Sequence, residues 1–121
     1  MSISEEAKYL QHILDEASYI VNSSVVLNSY DDFIINYDLR HAYYAAVCII
    51  GEASKNLSKE FRAKHSEVEW KKIIGMRNYI AHNYAGTNYF LLYNVVKKDI
   101  PQLKINIERI IKDIEEQKGR P

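Results

Sequence analysis

The sequence predicts an all-α protein, an antiparallel helical bundle of four long helices plus a short one. Three observations carry this prediction. Apolar residues recur at spacings of three and four along most of the chain. Only four Gly and two Pro interrupt 121 residues, too few for the many tight turns of an all-β fold. Two S-x-x-E capping boxes, Ser2–Glu5 and Ser66–Glu69, stand ahead of such apolar stripes. A length of 121 residues fits one domain, 1–121, with residues 117–121 expected to fray.

The first box opens a helix whose stripe is Leu10, Ile13, Leu14, Ala17, Ile20 and Val21. Asn28-Ser29-Tyr30-Asp31-Asp32 reads as a turn. A second helix starts near Tyr37 and keeps its spacing from Leu39 to Phe61. Its middle, AYYAAVCII, is apolar almost all round, which marks it as the central buried helix. Gly51 interrupts this pattern at a cost of about 1 kcal/mol against Ala, which points to close helix packing. Residues 63–66 are expected to form a loop. The second box opens a third helix through Trp70, Ile73 and Ile74. That helix should lose regularity over residues 82–88, where Asn83, Gly86 and Asn88 cluster. Tyr89 to Lys98 reads as a short fourth helix. Pro101 suits the first turn of a fifth, with Leu103, Ile107, Ile110, Ile111 and Ile114 inward.

Sixteen Lys and Arg balance sixteen Asp and Glu, so the bulk charge is zero. A uniformly basic nucleic-acid binder is excluded. The balance hides an asymmetry, with a net of −6 over residues 1–38 and +6 over residues 39–98. Such a split points to an acidic partner near the middle of the chain. The single Cys48 excludes an internal disulfide and suits a reducing, cytoplasmic setting, where it reads as a small buried hydrophobe. The acidic N-terminus has no signal-peptide pattern, and no apolar run is long enough to span a membrane.

The segment that carries chemistry is Gly75-Met76-Arg77-Asn78-Tyr79-Ile80-Ala81-His82-Asn83-Tyr84. Arg binds phosphate bidentately and stays charged, while His moves protons near neutrality. Together they are a minimum for breaking an RNA phosphodiester without metal. One group takes the 2′-hydroxyl proton, another protonates the leaving 5′-oxygen, and a cation stabilises the phosphorane. On a straight helix Arg77 and His82 stand about 140° apart, so Arg77 must lean across or the helix must bend or end there. One chain has one His in this segment. A two-fold dimer would bring two to one cleft.

Arg77-Asn78-x-x-x-His82-x-Tyr84 matches the R-x4-H-x-Y form of the HEPN ribonuclease motif. Asp38-Leu39-Arg40, Ile49-Ile50-Gly51-Glu52-Ala53, Leu57-Ser58, Trp70 to Asn78 and Asp99-Ile100-Pro101-Gln102-Leu103 resemble the HepT-like toxin family, over roughly residues 5–115. The resemblance implies an all-helical, HEPN-like homodimer that serves as the toxin of a bacterial or archaeal toxin–antitoxin pair. It implies metal-independent cleavage of RNA, tRNA or mRNA, at a cleft in the dimer interface, with no cofactor. Its partner would be an MntA-like nucleotidyltransferase antitoxin that transfers AMP to the motif tyrosine, Tyr84. Carried over by position, Arg77 stabilises the phosphate, His82 is the acid–base group, and Asn78 supports the motif. Asn83 stands where many relatives carry Glu, and Ser66 where Pro is common. Neither touches the catalytic pair, and Asn83 bears on how the partner recognises Tyr84.

Each of these residues has a plainer reading beside it. Arg77 and His82 also suit the end of a helix, Tyr84 the core, and Asn78 a donor that holds His82 or the helix end. His12, His41 and His65 have no ligand partners at metal spacing. Glu52 is expected to pair with an Arg or Lys or to hold the motif. Lys55, Lys59, Arg62, Lys64, Lys71 and Lys72 are either a solvated face or an RNA track. Trp70 fits the core or an interface better than a base-stacking platform. The alternative function is a non-catalytic HEPN scaffold binding a nucleotide or a nucleotidyltransferase partner. A plain helical dimerisation module is a third reading.

Overall fold

A computed structural model describes residues 3–82 and 86–119 of the chain. Four long helices form the frame: α1 (Ile3–Ser23), α3 (Tyr37–Asn56), α5 (Trp70–His82) and α7 (Ile100–Lys118). Three short ones, α2 (Tyr30–Ile34), α4 (Lys59–Lys64) and α6 (Tyr89–Asn94), join them. No strand occurs among the described residues. The protein is therefore all-α, as its periodicity predicts. No helix among the described residues is long and apolar enough to cross a membrane.

α3 lies at the centre, packed on one side against α1 and on the other against α5, while α7 covers α1. The stripe Leu10, Ile13, Ala17 and Ile20 of α1 is fully buried. It meets Tyr43, Ala46, Val47 and Ile50 of α3 and Leu103, Ile107 and Ile110 of α7 in one core. Each large side chain withdrawn from water contributes about 1.5–3 kcal/mol. Phe33 stacks on Tyr43 with ring centres 5.8 Å apart. The buried Tyr43 hydroxyl shares a 2.7 Å hydrogen bond with the Ser23 hydroxyl, so its burial leaves no orphaned polar group.

The short elements depart from the expected pattern for identifiable reasons. The expected turn at residues 28–32 is largely α2. Ser29 caps it by accepting from the Asp32 N–H, and the Asp32 carboxylate accepts from the Asn28 N–H. The long second helix ends at Asn56 rather than running through Phe61. Leu57 is extended, and Ser58 starts α4 by accepting from the Phe61 N–H. Phe61 keeps its buried place although its helix is a new one. The loop consequently falls at residues 65–69, not 63–66, and α5 starts at Trp70. Glu69, rather than Ser66, occupies its N-cap position, with its carbonyl accepting from the Ile73 N–H.

The expected fourth and fifth helices form one rod. A π-turn at Val95–Asp99 links α6 directly to α7. Pro101 has no N–H, and in a regular α-helix its ring would press on the carbonyl four residues back. The wider turn just before it relieves that clash. Lys97 anchors the turn by donating to the Ser24 carbonyl at 2.8 Å. α7 continues through Lys118 to a C-cap at Gly119.

Candidate active site at the end of helix α5

The helix that carries the motif is unbroken from Trp70 to His82. Its N-terminal half is fixed by Trp70, which is buried and donates its indole N–H to the His65 carbonyl at 2.9 Å. That assigns Trp70 to the core. The C-terminal end is fixed by Ile80, which is buried, and by Tyr44 of α3. The Tyr44 hydroxyl donates to the Ile80 carbonyl at 2.9 Å. This carbonyl is one of the last four of α5, which have no partner within the helix.

Arg77 leaves α5 toward α3, directly over Gly51. A methyl group on Gly51 would overlap the Arg77 Cβ and stand 2.6 Å from its Cγ. The glycine is thus the close packing point its position suggests. The aliphatic stem of Arg77 occupies the space a side chain at 51 would take. The next residue on α3, Glu52, holds the guanidinium, with Oε2 accepting from Nη2 at 2.9 Å. The other terminal nitrogen, Nη1, donates to the Asn78 Oδ1 at 3.0 Å. Arg77 is about a quarter exposed. It is anchored at both ends of its fork but still reachable from solvent.

Glu52 therefore pairs with the motif arginine, and Asn78 orients it. Cys48 is only partly buried rather than a core residue; that burial pushes its thiol up, and the nearby Arg77 charge pulls it part of the way back. His82 is the last residue of α5 and is exposed. Because α5 does not bend before it, His82 and Arg77 keep their separation of about 140° around the axis. Asn78 and His82, four residues apart, share a face. The reach of Arg77 to Asn78 carries its guanidinium toward that face. Tyr84 and Asn83 lie outside the described residues.

The other candidates separate cleanly. Lys72 donates to Asp99 at 3.2 Å and also pairs with Glu69. The Asp99 hydrogen bond holds its ammonium above the usual lysine range. His65 pairs with Glu67 at 3.6 Å, and His41 faces the Tyr37 carbonyl. Among the described residues no three His, Cys, Asp or Glu side chains are grouped as a metal site requires. Tyr44 is a positioning residue that the sequence did not single out, because it sits inside an apolar run of α3.

The site can now be set beside known proteins. A family model described as "Ribonuclease HepT-like" matches residues 8–110. The chain belongs to the HepT-like ribonuclease family. A relative from Caldanaerobacter subterraneus subsp. tengcongensis, named "Putative RNase", is 42% identical over 85% of this chain and 91% of its own length. A Methanocaldococcus jannaschii relative of the same designation is 37% identical over 89% of this chain and 98% of its own. One from Thermococcus cleftensis, named "Probable ribonuclease HepT", is 35% identical over 86% of this chain and 94% of its own. No solved structure matches the chain.

Proposed function

We propose that this HepT-like protein is an endoribonuclease that acts without metal as a homodimer, with Arg77 and His82 as its catalytic residues. The observation that carries the reading is the double anchoring of Arg77 by Glu52 and Asn78 at the solvent-facing end of α5, on the helix that ends in His82. A guanidinium held in place before substrate arrives stabilises developing phosphorane charge without reorganising. His82 supplies acid–base chemistry at a phosphate lodged against Arg77. Attack of the 2′-oxygen on phosphorus breaks the bond to the 5′-oxygen. The proton lost from the 2′-hydroxyl and the proton gained by the leaving oxygen require two groups. The His82 of a second copy provides the other.

The surface beside the motif supports such a pairing. Ala45 and Ile49 are exposed on the face of α3 that carries Glu52, with Ile49 at 44%. Tyr79 is exposed on α5. A second copy seated there would cover these apolar groups and bring two motifs together. In this reading the protein is a toxin. Its partner is a nucleotidyltransferase antitoxin that silences it by moving AMP from ATP to Tyr84. The added phosphate would compete with RNA for Arg77.

The test is cleavage of purified tRNA and mRNA in the presence of EDTA by the wild type, Arg77→Ala and His82→Ala. The wild type should cut, and each variant should lose at least a hundredfold in rate while remaining folded and dimeric. Undiminished cleavage by both variants would overturn the assignment. A wild-type dimer that binds nucleotide but cuts no RNA would instead favour the scaffold reading.

A further inference from the structure

α4 and α5 line an open groove of about 1050 Å³ whose α5 wall runs from Trp70 to Asn78, the neighbour of Arg77. Its walls carry Lys59 and Arg62 from α4 and Lys71 from α5. No carboxylate lies within ion-pair distance of these three cations among the described residues. The groove's one acid, Glu69, is paired with Lys72. The Nε of Arg62 is buried and has no hydrogen-bond partner among the described residues, so its terminal nitrogens are what the groove presents. The groove is thus cationic by default, within a chain whose overall charge is zero.

Helix phase connects the groove to the motif. Lys71, Gly75 and Asn78 line it at positions i, i+4 and i+7 of α5. His82 follows at i+11, only about 20° from the azimuth of Lys71 and about 16 Å further along the axis. Gly75 keeps the floor low, since a methyl group there would meet no atom within 4 Å. Asn78 ends the groove, and it is the residue that orients Arg77.

We propose that the α4–α5 groove is a track for the sugar–phosphate backbone of single-stranded RNA, leading along one face of α5 to the scissile position between Arg77 and His82. α4 and α5 make few direct contacts, and the open groove left between them, about 1050 Å³, suits one extended strand rather than a duplex. Lys59, Arg62 and Lys71 contact phosphates upstream or downstream of the cut. They set affinity and register but take no part in bond breaking. This inference rests on the endoribonuclease reading for its direction, while the binding it predicts can be measured separately.

The experiment uses the intact protein and a fluorescent 20-nucleotide single-stranded RNA, with binding read by anisotropy in a His82→Ala background. The Lys59→Glu/Lys71→Glu pair should weaken binding at least tenfold. Loss of two phosphate contacts should reduce the slope of log affinity against log salt by about 1.4. Lys59→Gln/Lys71→Gln should show a smaller loss in the same direction, which separates lost contacts from charge repulsion. Lys112→Glu, exposed on α7, should leave affinity within twofold. In the active protein the double reversal should reduce kcat/KM more for the 20-mer than for a tetranucleotide. Unchanged affinity and salt slope in the double variant would overturn the track, and so would equal losses on the long and short substrates. Binding of an acidic polypeptide in preference to RNA, lost in the same variants, would overturn it in favour of a protein partner. Failure of the wild type to cut any RNA would count against the endoribonuclease reading, while the anisotropy result would still decide the track.

Discussion

Arg77 rests on Gly51, and the absence of a side chain at one position is what admits the side chain at the other. A methyl group on Gly51 would overlap the Arg77 Cβ and lie 3.4 Å from its Cα. Two effects oppose each other in Gly51→Ala. Helix propensity favours Ala by about 1 kcal/mol, whereas overpacking a close helix contact costs about 1–3 kcal/mol. The overlap involves the first atoms of the Arg77 side chain rather than its flexible end, so overpacking wins. Gly51→Ala should be destabilised by about 1 kcal/mol or more in urea melts, and RNA cleavage should fall as Arg77 is displaced. A variant as stable and as active as the wild type would refute this account.

Glu52 has a different signature. Its bond to Arg77 is half exposed, and exposed ion pairs contribute only about 0–1 kcal/mol to stability. In the proposed mechanism the pair orients the guanidinium. Glu52→Ala should therefore shift the melting midpoint little and reduce kcat by about tenfold, equivalent to about 1.4 kcal/mol of barrier. The measurement is a thermal melt alongside single-turnover cleavage. An increase in rate would show that Glu52 competes with the substrate phosphate rather than aiming the guanidinium.

Tyr44→Phe removes one hydroxyl and with it the bond to the Ile80 carbonyl. A hydrogen bond of this kind contributes about 0.5–1.5 kcal/mol. Its loss should be local, because it caps the last turn of α5. Amide exchange should rise over residues 78–82 more than in α1 or α7, and cleavage should weaken in parallel. Uniform exchange protection in the variant would show that α5 ends stably without the cap.

Alkaline pH should destabilise the protein through Cys48. The unfolded thiol ionises near about 8.5, and burial moves the folded one higher despite Arg77. Between those two values the folded state holds more protons, so unfolding free energy falls as pH rises. The contribution is complete below about pH 8.5 and is lost as pH climbs through the folded pKa. Tyr43, raised by burial against the opposing Ser23 hydrogen bond, adds the same trend above about pH 10. Denaturation of the wild type and Cys48→Ala from pH 7 to 10 should show a decline in the first and a flatter profile in the second. Identical profiles would exclude Cys48 as the cause.

The residues that were legible in the sequence are those whose signal is periodic or chemically distinctive. The buried stripe of α1, the inner face of α7 and the packing role of Gly51 follow from spacing alone. Arg77, Asn78 and His82 stand out by residue type, and the structure brings Asn78 onto Arg77 directly. Where expectation failed, a local hydrogen bond outweighed a continuous apolar pattern. Ser58 starts a new helix although Phe61 keeps the old spacing, and Ser29 makes a helix where Asn, Ser and Asp suggest a turn. Tyr44 was invisible for another reason. Its partner is a backbone carbonyl 36 residues away, and no sequence pattern marks which tyrosine of a Tyr-Tyr pair will meet it.

The π-turn at Val95–Asp99 makes the segment from Tyr89 to Lys118 behave like a vernier. A turn of this kind holds one more residue than the α-helix on either side of it needs. Removing that residue would restore regular winding, drive the Pro101 ring against the carbonyl behind it, and rotate everything before it by about 100°. The angle at which Asn88 and Tyr89 meet the rest of the bundle is therefore encoded as a residue count rather than as side-chain chemistry. Substitutions along this stretch are absorbed one contact at a time. A single deletion would reset the orientation of the whole segment that leads back to the motif.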